Sequence, residues 1–150
     1  MRTRLFVVGI ALTALLAACG GDDTASTTTS ASGPGTTAEP TTPGLRVVAA
    51  DDAAAALAER TDLVLLDVRT PEEFADGHVD GASLIDFYDA DFADRIGELD
   101  PDASYVVYCR SGNRSGQTVE LMRQLGFTDV QDVDGGVLAW AEAGLPLTTP

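Results

Sequence analysis

Two stretches of the chain, Leu63-Val64-Leu65-Leu66 and Tyr105-Val106-Val107-Tyr108, carry an apolar or aromatic side chain at every position. A strand with one face in water alternates apolar and polar residues. A continuous apolar run bounded by turn residues has both faces covered, the condition met where helices lie on either side of a parallel sheet. The segments between these runs are suited to such helices. Asp51 is placed to cap an Ala-rich helix running to Arg60, and Thr70-Pro71-Glu72-Glu73 is a capping box with proline at the first helical position. That second helix starts after Arg69 and ends at Gly77. Further helices are expected over Phe92–Leu99, capped near Asp91, over Ser115–Leu125, stopped by Gly126, and over Val137–Ala143. Val119, Met122 and Leu125 would form part of a buried stripe on the second of these. Shorter strands are expected at Leu45–Ala49, on an edge, at Ala82–Ile85 and at Asp129–Val133. The pattern predicts an α/β domain over residues 45–150, with a mainly parallel central sheet flanked by helices on both faces. A chain of 150 residues suffices for one such core and not for two.

The first third of the chain has a different texture. Arg2 and Arg4 precede an almost wholly apolar run from Leu5 to Leu16, which is short of the roughly 20 residues that span a bilayer. Residues 1–18 therefore read as a signal peptide. Leu16-Ala17-Ala18-Cys19 closes the run and resembles the lipobox of bacterial lipoproteins, which implies cleavage before Cys19 and lipid on its thiol. Residues 20–44 consist mainly of Thr, Ser, Gly, Pro and Ala and offer no face to bury, so with Cys19 they read as a lipidated, disordered stalk over residues 19–44. The expectation is an exported protein, held to a bacterial membrane by its lipid, with the domain outside the cytoplasm.

Charge narrows the partners. All nine basic residues are arginine, against 24 acidic residues, for a formal net charge of −15. Loss of residues 1–18 removes two arginines and no acid. No basic stripe exists to neutralise phosphates, so nucleic acid is excluded as a partner. Any anionic substrate must find its positive potential locally. With Cys19 acylated, Cys109 is the one free thiol, and no intrachain disulfide supports the fold.

Cys109 follows directly on a predicted buried strand and opens the segment Cys109-Arg110-Ser111-Gly112-Asn113-Arg114, with a helix expected from Ser115. Ligands on parallel sheets bind beyond the carboxyl ends of the strands. Gly112 admits unusual dihedrals, Asn113 tolerates them, and a tight loop of this kind turns backbone N–H groups inward as an anion nest. The following helix adds its N-terminal dipole, and Arg110 and Arg114 add charge if they face the sulfur. Such settings lower a cysteine from about 8.5 to about 3.5–7.5, which makes Cys109 a candidate nucleophile.

This segment, together with Leu66-Asp67-Val68-Arg69, Pro71-Glu72-Glu73-Phe74, Gly77-His78-Val79 and Gly81-Ala82 upstream, and Gly135-Gly136, Trp140, Gly144 and Pro146 downstream, resembles the rhodanese-like sulfurtransferase family across residues 45–150. The resemblance implies a two-step reaction without metal or organic cofactor. Cys109 takes sulfur from a small anionic donor of the thiosulfate or polysulfide type, as a persulfide, and passes it to a thiol or cyanide. It also implies substrate-binding roles for Arg110, Ser111, Gly112, Asn113, Arg114 and Ser115. Sulfurtransferases of this fold have a six-residue loop counted from the cysteine, and the related arsenate reductases and cell-cycle phosphatases have seven. Cys109 to Arg114 counts six. Asp67 and Arg69 are expected either to position the loop, with Asp67 reaching one of its arginines, or to pair away from it. His78 looks structural, Trp140 is expected in the core, and the acidic run from Asp86 to Asp94 reads as solvated surface. The alternatives to an enzyme are a non-catalytic binding or sensing module and a persulfide carrier. Oligomeric state is not legible.

Overall fold

The computed structural model describes residues 44–150. Residues 1–43, with Cys19 and the segments read as a signal peptide and, but for Gly44, as a stalk, lie outside the described residues. Five strands and five helices alternate: β1 Leu45–Val48, α1 Ala50–Glu59, β2 Leu63–Asp67, α2 Pro71–Asp76, β3 Ser83–Leu84, α3 Phe92–Gly97, β4 Ser104–Tyr108, α4 Asn113–Gln124, β5 Asp129–Val133 and α5 Gly136–Glu142. The strands form one sheet in the order β1-β5-β4-β2-β3, with every pairing parallel. Parallel neighbours need crossovers, and the helices provide them.

Side-chain alternation splits the core into two layers. Leu66, Tyr105, Val107 and Val130 face Phe92 and Ile96 of α3 and Met122 of α4. Leu65, Val106, Tyr108 and Val133 face Ala50 and Ala53 of α1 and Val137 and Trp140 of α5. The α/β architecture expected from the two apolar runs is the one observed. Both runs end in the sheet interior, and β2 and β4 pair along their whole length, from Leu63 with Ser104 to Asp67 with Tyr108.

Several local details differ from the sequence reading. Asp51 does not cap α1: Ala49 holds that position without a side-chain bond, and Asp51 and Asp52 occupy the first turn, where acidic groups interact favourably with the positive end of the helix dipole. The capping box of α2 is present, with Glu73 N–H donating to Thr70 Oγ1 at 3.3 Å and Thr70 N–H to Glu73 Oε2 at 3.1 Å. Helix α4 begins at Asn113, two residues before the expected start, so Asn113 is helical and Gly112 alone takes the left-handed conformation, with φ +92°. Leu125 falls outside the buried stripe and is exposed; Ser115, Thr118 and Met122 form that stripe, with Val119 partly buried beside them. The helix turns away before Leu125 because Gly126 ends it with φ +90°.

Candidate active site

Cys109 lies one residue past the end of β4, with the first turn of α4 above it. Its side chain belongs to the layer that packs on α3 and α4, and the residue is only 1% exposed. Gly112 N–H donates to its Sγ at 3.2 Å, and the Ser115 hydroxyl lies 3.5 Å away. Burial, the largest influence on this thiol, opposes ionisation. The Ser115 hydroxyl and the backbone N–H groups of Ser115, Ser111 and Gly112 together outweigh it, and the thiol falls below its ordinary pKa.

The loop holds this shape because α5 grips it from behind. Val137 N–H donates to the Cys109 carbonyl at 2.8 Å and Leu138 N–H to the Arg110 carbonyl at 3.2 Å. With those carbonyls turned outward, the loop N–H groups are left to face the sulfur. Gly136 makes the approach feasible. It adopts φ +58°, and a methyl at its Cα would stand 2.3 Å from the Cys109 carbonyl oxygen. The sequence marks Gly135-Gly136 only through the family resemblance; in the fold Gly136 lets the start of α5 pass close against the cysteine loop.

The two loop arginines differ in their surroundings. Arg114 makes a two-pronged ion pair with Glu73 of α2, at 2.7 and 2.8 Å, and its guanidinium lies 5.5 Å from the Tyr88 ring centre. The Arg114 hydrogen bond, against some burial, holds Glu73 down at about 2. The sequence marks Glu73 through the capping box and the family resemblance, and nothing local to residue 73 signals a partner 41 positions away. The cysteine charge still contributes to keeping Arg114 ionised, after the Glu73 bond and against burial. Arg110 is exposed, as are Ser111 and Asn113.

Asp67 and Arg69 pair with one another and not with the loop arginines. Arg69 Nε donates to both Asp67 oxygens at 2.9 Å, and Arg69 Nη2 donates to Asp67 Oδ2 at 2.6 Å and to the Gly77 carbonyl at 2.8 Å. Both residues are buried, and the Arg69 guanidinium lies 5.5 Å from the ring centre of Tyr108. Tyr108 faces the α1 and α5 layer, opposite to Cys109. The pair thus braces the end of β4 from the far side of the sheet. Burial, first, and the Asp67 carboxylate push the Tyr108 hydroxyl well above its ordinary pKa.

His78 stacks on Phe74 with ring centres 3.6 Å apart, and its backbone exchanges hydrogen bonds with Thr148. Trp140 is buried and donates from Nε1 to the Pro146 carbonyl at 3.1 Å. Among the described residues no group of three or more His, Cys, Asp or Glu side chains is placed to hold a metal ion, and no helix is long and apolar enough to cross a membrane.

A family model described as Rhodanese-like domain matches residues 49–143. A sulfurtransferase of Allochromatium vinosum is 38% identical over 94 residues, covering 63% of this chain and 86% of that protein. The thiosulfate sulfurtransferase GlpE of Pseudomonas aeruginosa is 41% identical over 76 residues, covering 51% of this chain and 67% of its own. The crystal structure of a rhodanese-related protein from Thermoplasma volcanium is similar with a TM-score of 0.62 and 31% identity, over 70% of this chain and 99% of that one.

Proposed function

The chain belongs to the rhodanese-like domain family, and on that premise we propose that it is a sulfurtransferase whose sulfur passes through Cys109. The observation that carries the reading is the setting of Sγ, a buried sulfur on a backbone N–H at 3.2 Å with a serine hydroxyl beside it. That setting stabilises an anion at one point without a neighbouring base.

The cycle balances with no other group. The Cys109 thiolate attacks the outer sulfur of thiosulfate, the new sulfur–sulfur bond forms, and the old one breaks with its electron pair leaving on sulfite. The persulfide anion occupies the same N–H donors. A cyanide or thiolate acceptor then attacks the terminal sulfur, and the Cys109 thiolate returns as the leaving group. Its lowered pKa makes it a better leaving group as well as a populated nucleophile. With Cys109 only 1% exposed, the site favours donors small enough to enter past the loop side chains. Arg110, exposed beside the cysteine, is the charge that an arriving anion meets first.

The proposal extends to location. The charged start, the apolar run and Leu16-Ala17-Ala18-Cys19 support export and lipid attachment at Cys19, so that the domain acts outside the cytoplasm. In a bacterial host the wild-type chain should enter the detergent phase and Cys19→Ser the aqueous phase.

The deciding experiment is mass spectrometry of the Cys109 peptide from the full chain after exposure to thiosulfate. A gain of one sulfur, absent in Cys109→Ser and removed by cyanide, is the expected result. No gain on a thiol that still alkylates would overturn the thiosulfate reading and favour a sensing module. A gain that small acceptors fail to remove would instead make the protein a carrier.

A further inference from the structure

The face of the sheet opposite to the Cys109 side chain is covered unevenly. There α1 and α5 pack on one another and on β5. Strand β2 lies two places further along the sheet, and its Leu63 and Leu65 share a recess with the tail that follows α5. That tail is tied at two points. Thr148 and His78 exchange backbone hydrogen bonds at 2.9 and 2.8 Å, and the Pro146 carbonyl accepts from Trp140 Nε1 at 3.1 Å. Held there, the tail forms one wall of the recess, whose volume is about 480 Å³. Sites for small organic molecules span about 300–1,000 Å³. Most of the lining is apolar: Ala54 and Leu57 of α1, the two β2 leucines, Trp140 of α5 and Leu145 of the tail. Leu147, which also lines it, is 40% exposed. Water finds few partners against such walls, and an apolar body that displaces it gains.

Charge decides what kind of molecule suits the recess. Two charged residues line it, Arg60 and Asp80. Arg60 is already neutralised, with Nη2 on Asp62 Oδ2 at 2.8 Å and Nη1 on Asp129 Oδ2 at 3.4 Å. Asp80 projects from the turn Val79–Ala82, which is closed by the Ala82 N–H donating to the Val79 carbonyl at 3.1 Å, with Gly81 at φ +79°. Its carboxylate is exposed and makes no hydrogen bond or ion pair among the described residues. An anion entering the recess meets no open cation, whereas a cation meets an open carboxylate.

We propose that this recess is a second binding site, which takes a small organic amine with its apolar body against Leu57, Leu63 and Trp140 and its ammonium group on Asp80. The site belongs to the layer of α1 and α5, and Cys109 to the layer of α3 and α4. Occupancy therefore does not depend on the sulfur chemistry.

Trp140 is the one tryptophan of the chain and lines the recess, so its fluorescence reads occupancy. The probes are phenylbutylamine and phenylbutyrate, which share an apolar body and differ in the charge of the head group. They are titrated into the full chain at about 0.15 M salt, where the long-range field of the acidic surface is screened. The amine should give a saturable change and bind about tenfold more tightly than the acid. Asp80→Asn should weaken the amine until the two differ by less than about twofold. Asp94→Asn, which removes a charge from α3 on the other face, should leave the preference intact. Ala54→Phe places a ring in the recess and should abolish the response. Should that variant fail to fold, Leu147→Ser takes its place and should weaken the amine about fivefold. No saturable change, the outcome if residues 1–43 of the chain themselves fill the recess, would overturn the proposal, as would a preference that survives in Asp80→Asn. Cys109→Ser should bind the amine as wild type does; loss of binding there would assign the response to the sulfur site and equally overturn it.

Discussion

Replacing Gly136 with alanine tests whether α5 shapes the cysteine loop. Two costs follow from the geometry. The first is conformational: alanine at φ +58° loses about 1–2 kcal/mol relative to glycine. The second is steric. The new methyl would stand 2.3 Å from the Cys109 carbonyl oxygen, 2.8 Å from the Arg110 carbonyl carbon and 2.9 Å from Ser111 N. All three are backbone atoms, so no rotamer relieves the contact, and the loop must retreat by about 1 Å to reach ordinary separations. That movement pulls the Cys109 and Arg110 carbonyls off Val137 and Leu138 N–H, a loss of about 1 kcal/mol each. The total is about 3–4 kcal/mol, a large part of the roughly 5–15 kcal/mol that holds a domain folded. Gly81→Ala is the control, because Gly81 has φ +79° but nothing within 4 Å of a new methyl; it should lose only the conformational part and keep its activity. Urea denaturation measures the stabilities, and the rate of Cys109 alkylation at fixed pH reports the loop. A misplacement of about 1 Å should slow sulfur loading on the order of a hundredfold. Equal stabilities for the two variants, or wild-type alkylation in Gly136→Ala, would refute the assignment of this glycine to the loop.

Other substitutions probe the supports around the site. Glu73 is held at about 2 in the folded protein, below its ordinary 4.5. It therefore contributes stability above about pH 4.5 that is lost as pH falls toward 2; being partly exposed, it should account for about 1–2 kcal/mol, which acid titration of Glu73→Gln by circular dichroism would show as a flattened profile. Asp67→Ala leaves Arg69 buried without its partner and should destabilise by about 3–5 kcal/mol in urea, while the pH profile of Cys109 alkylation stays put because the pair lies on the far face. Thr70→Ala removes the cap of α2 and should cost about 1 kcal/mol by the same measurement.

What the sequence disclosed followed from local pattern. The two apolar runs announced the interior strands β2 and β4, and the Thr70–Glu73 capping box placed α2, because each signal is complete within a few residues. Strand β5 was placed, but not its depth. All five of its residues are buried although Asp129, Gln131 and Asp132 are polar. Its position between β1 and β4 is a property of topology, and Asp129 tolerates burial only because Arg46 and Arg60 reach it from residues far away in sequence. The site divides the same way. Cys109 and Gly112 are legible at the end of a strand, whereas Glu73 and Gly136 acquire their places only when α2 and α5 converge on the loop.

The source of the local positive potential is where local pattern says least. Two arginines within five residues of a cysteine invite the idea that their charges hold the thiolate. Arg114, however, spends its two prongs on Glu73, and the bonds that lower Cys109 come from backbone N–H groups and one hydroxyl. For a chain of net charge −15 this arrangement has a physical logic. A full charge beside the sulfur attracts one of the many carboxylates, as Arg114 does Glu73, and its pull on the sulfur is shared. Backbone dipoles fixed by the grip of α5 cannot be recruited elsewhere, and because they are preorganised they stabilise the thiolate, and any persulfide formed on it, without reorganising. Glu73 and Arg114 then act together as a tie between α2 and the first turn of α4, holding in place the turn that supplies Ser115. The sulfur is thus stabilised by how firmly the loop is held, which is why Gly136 is the position where a single methyl should do the most damage.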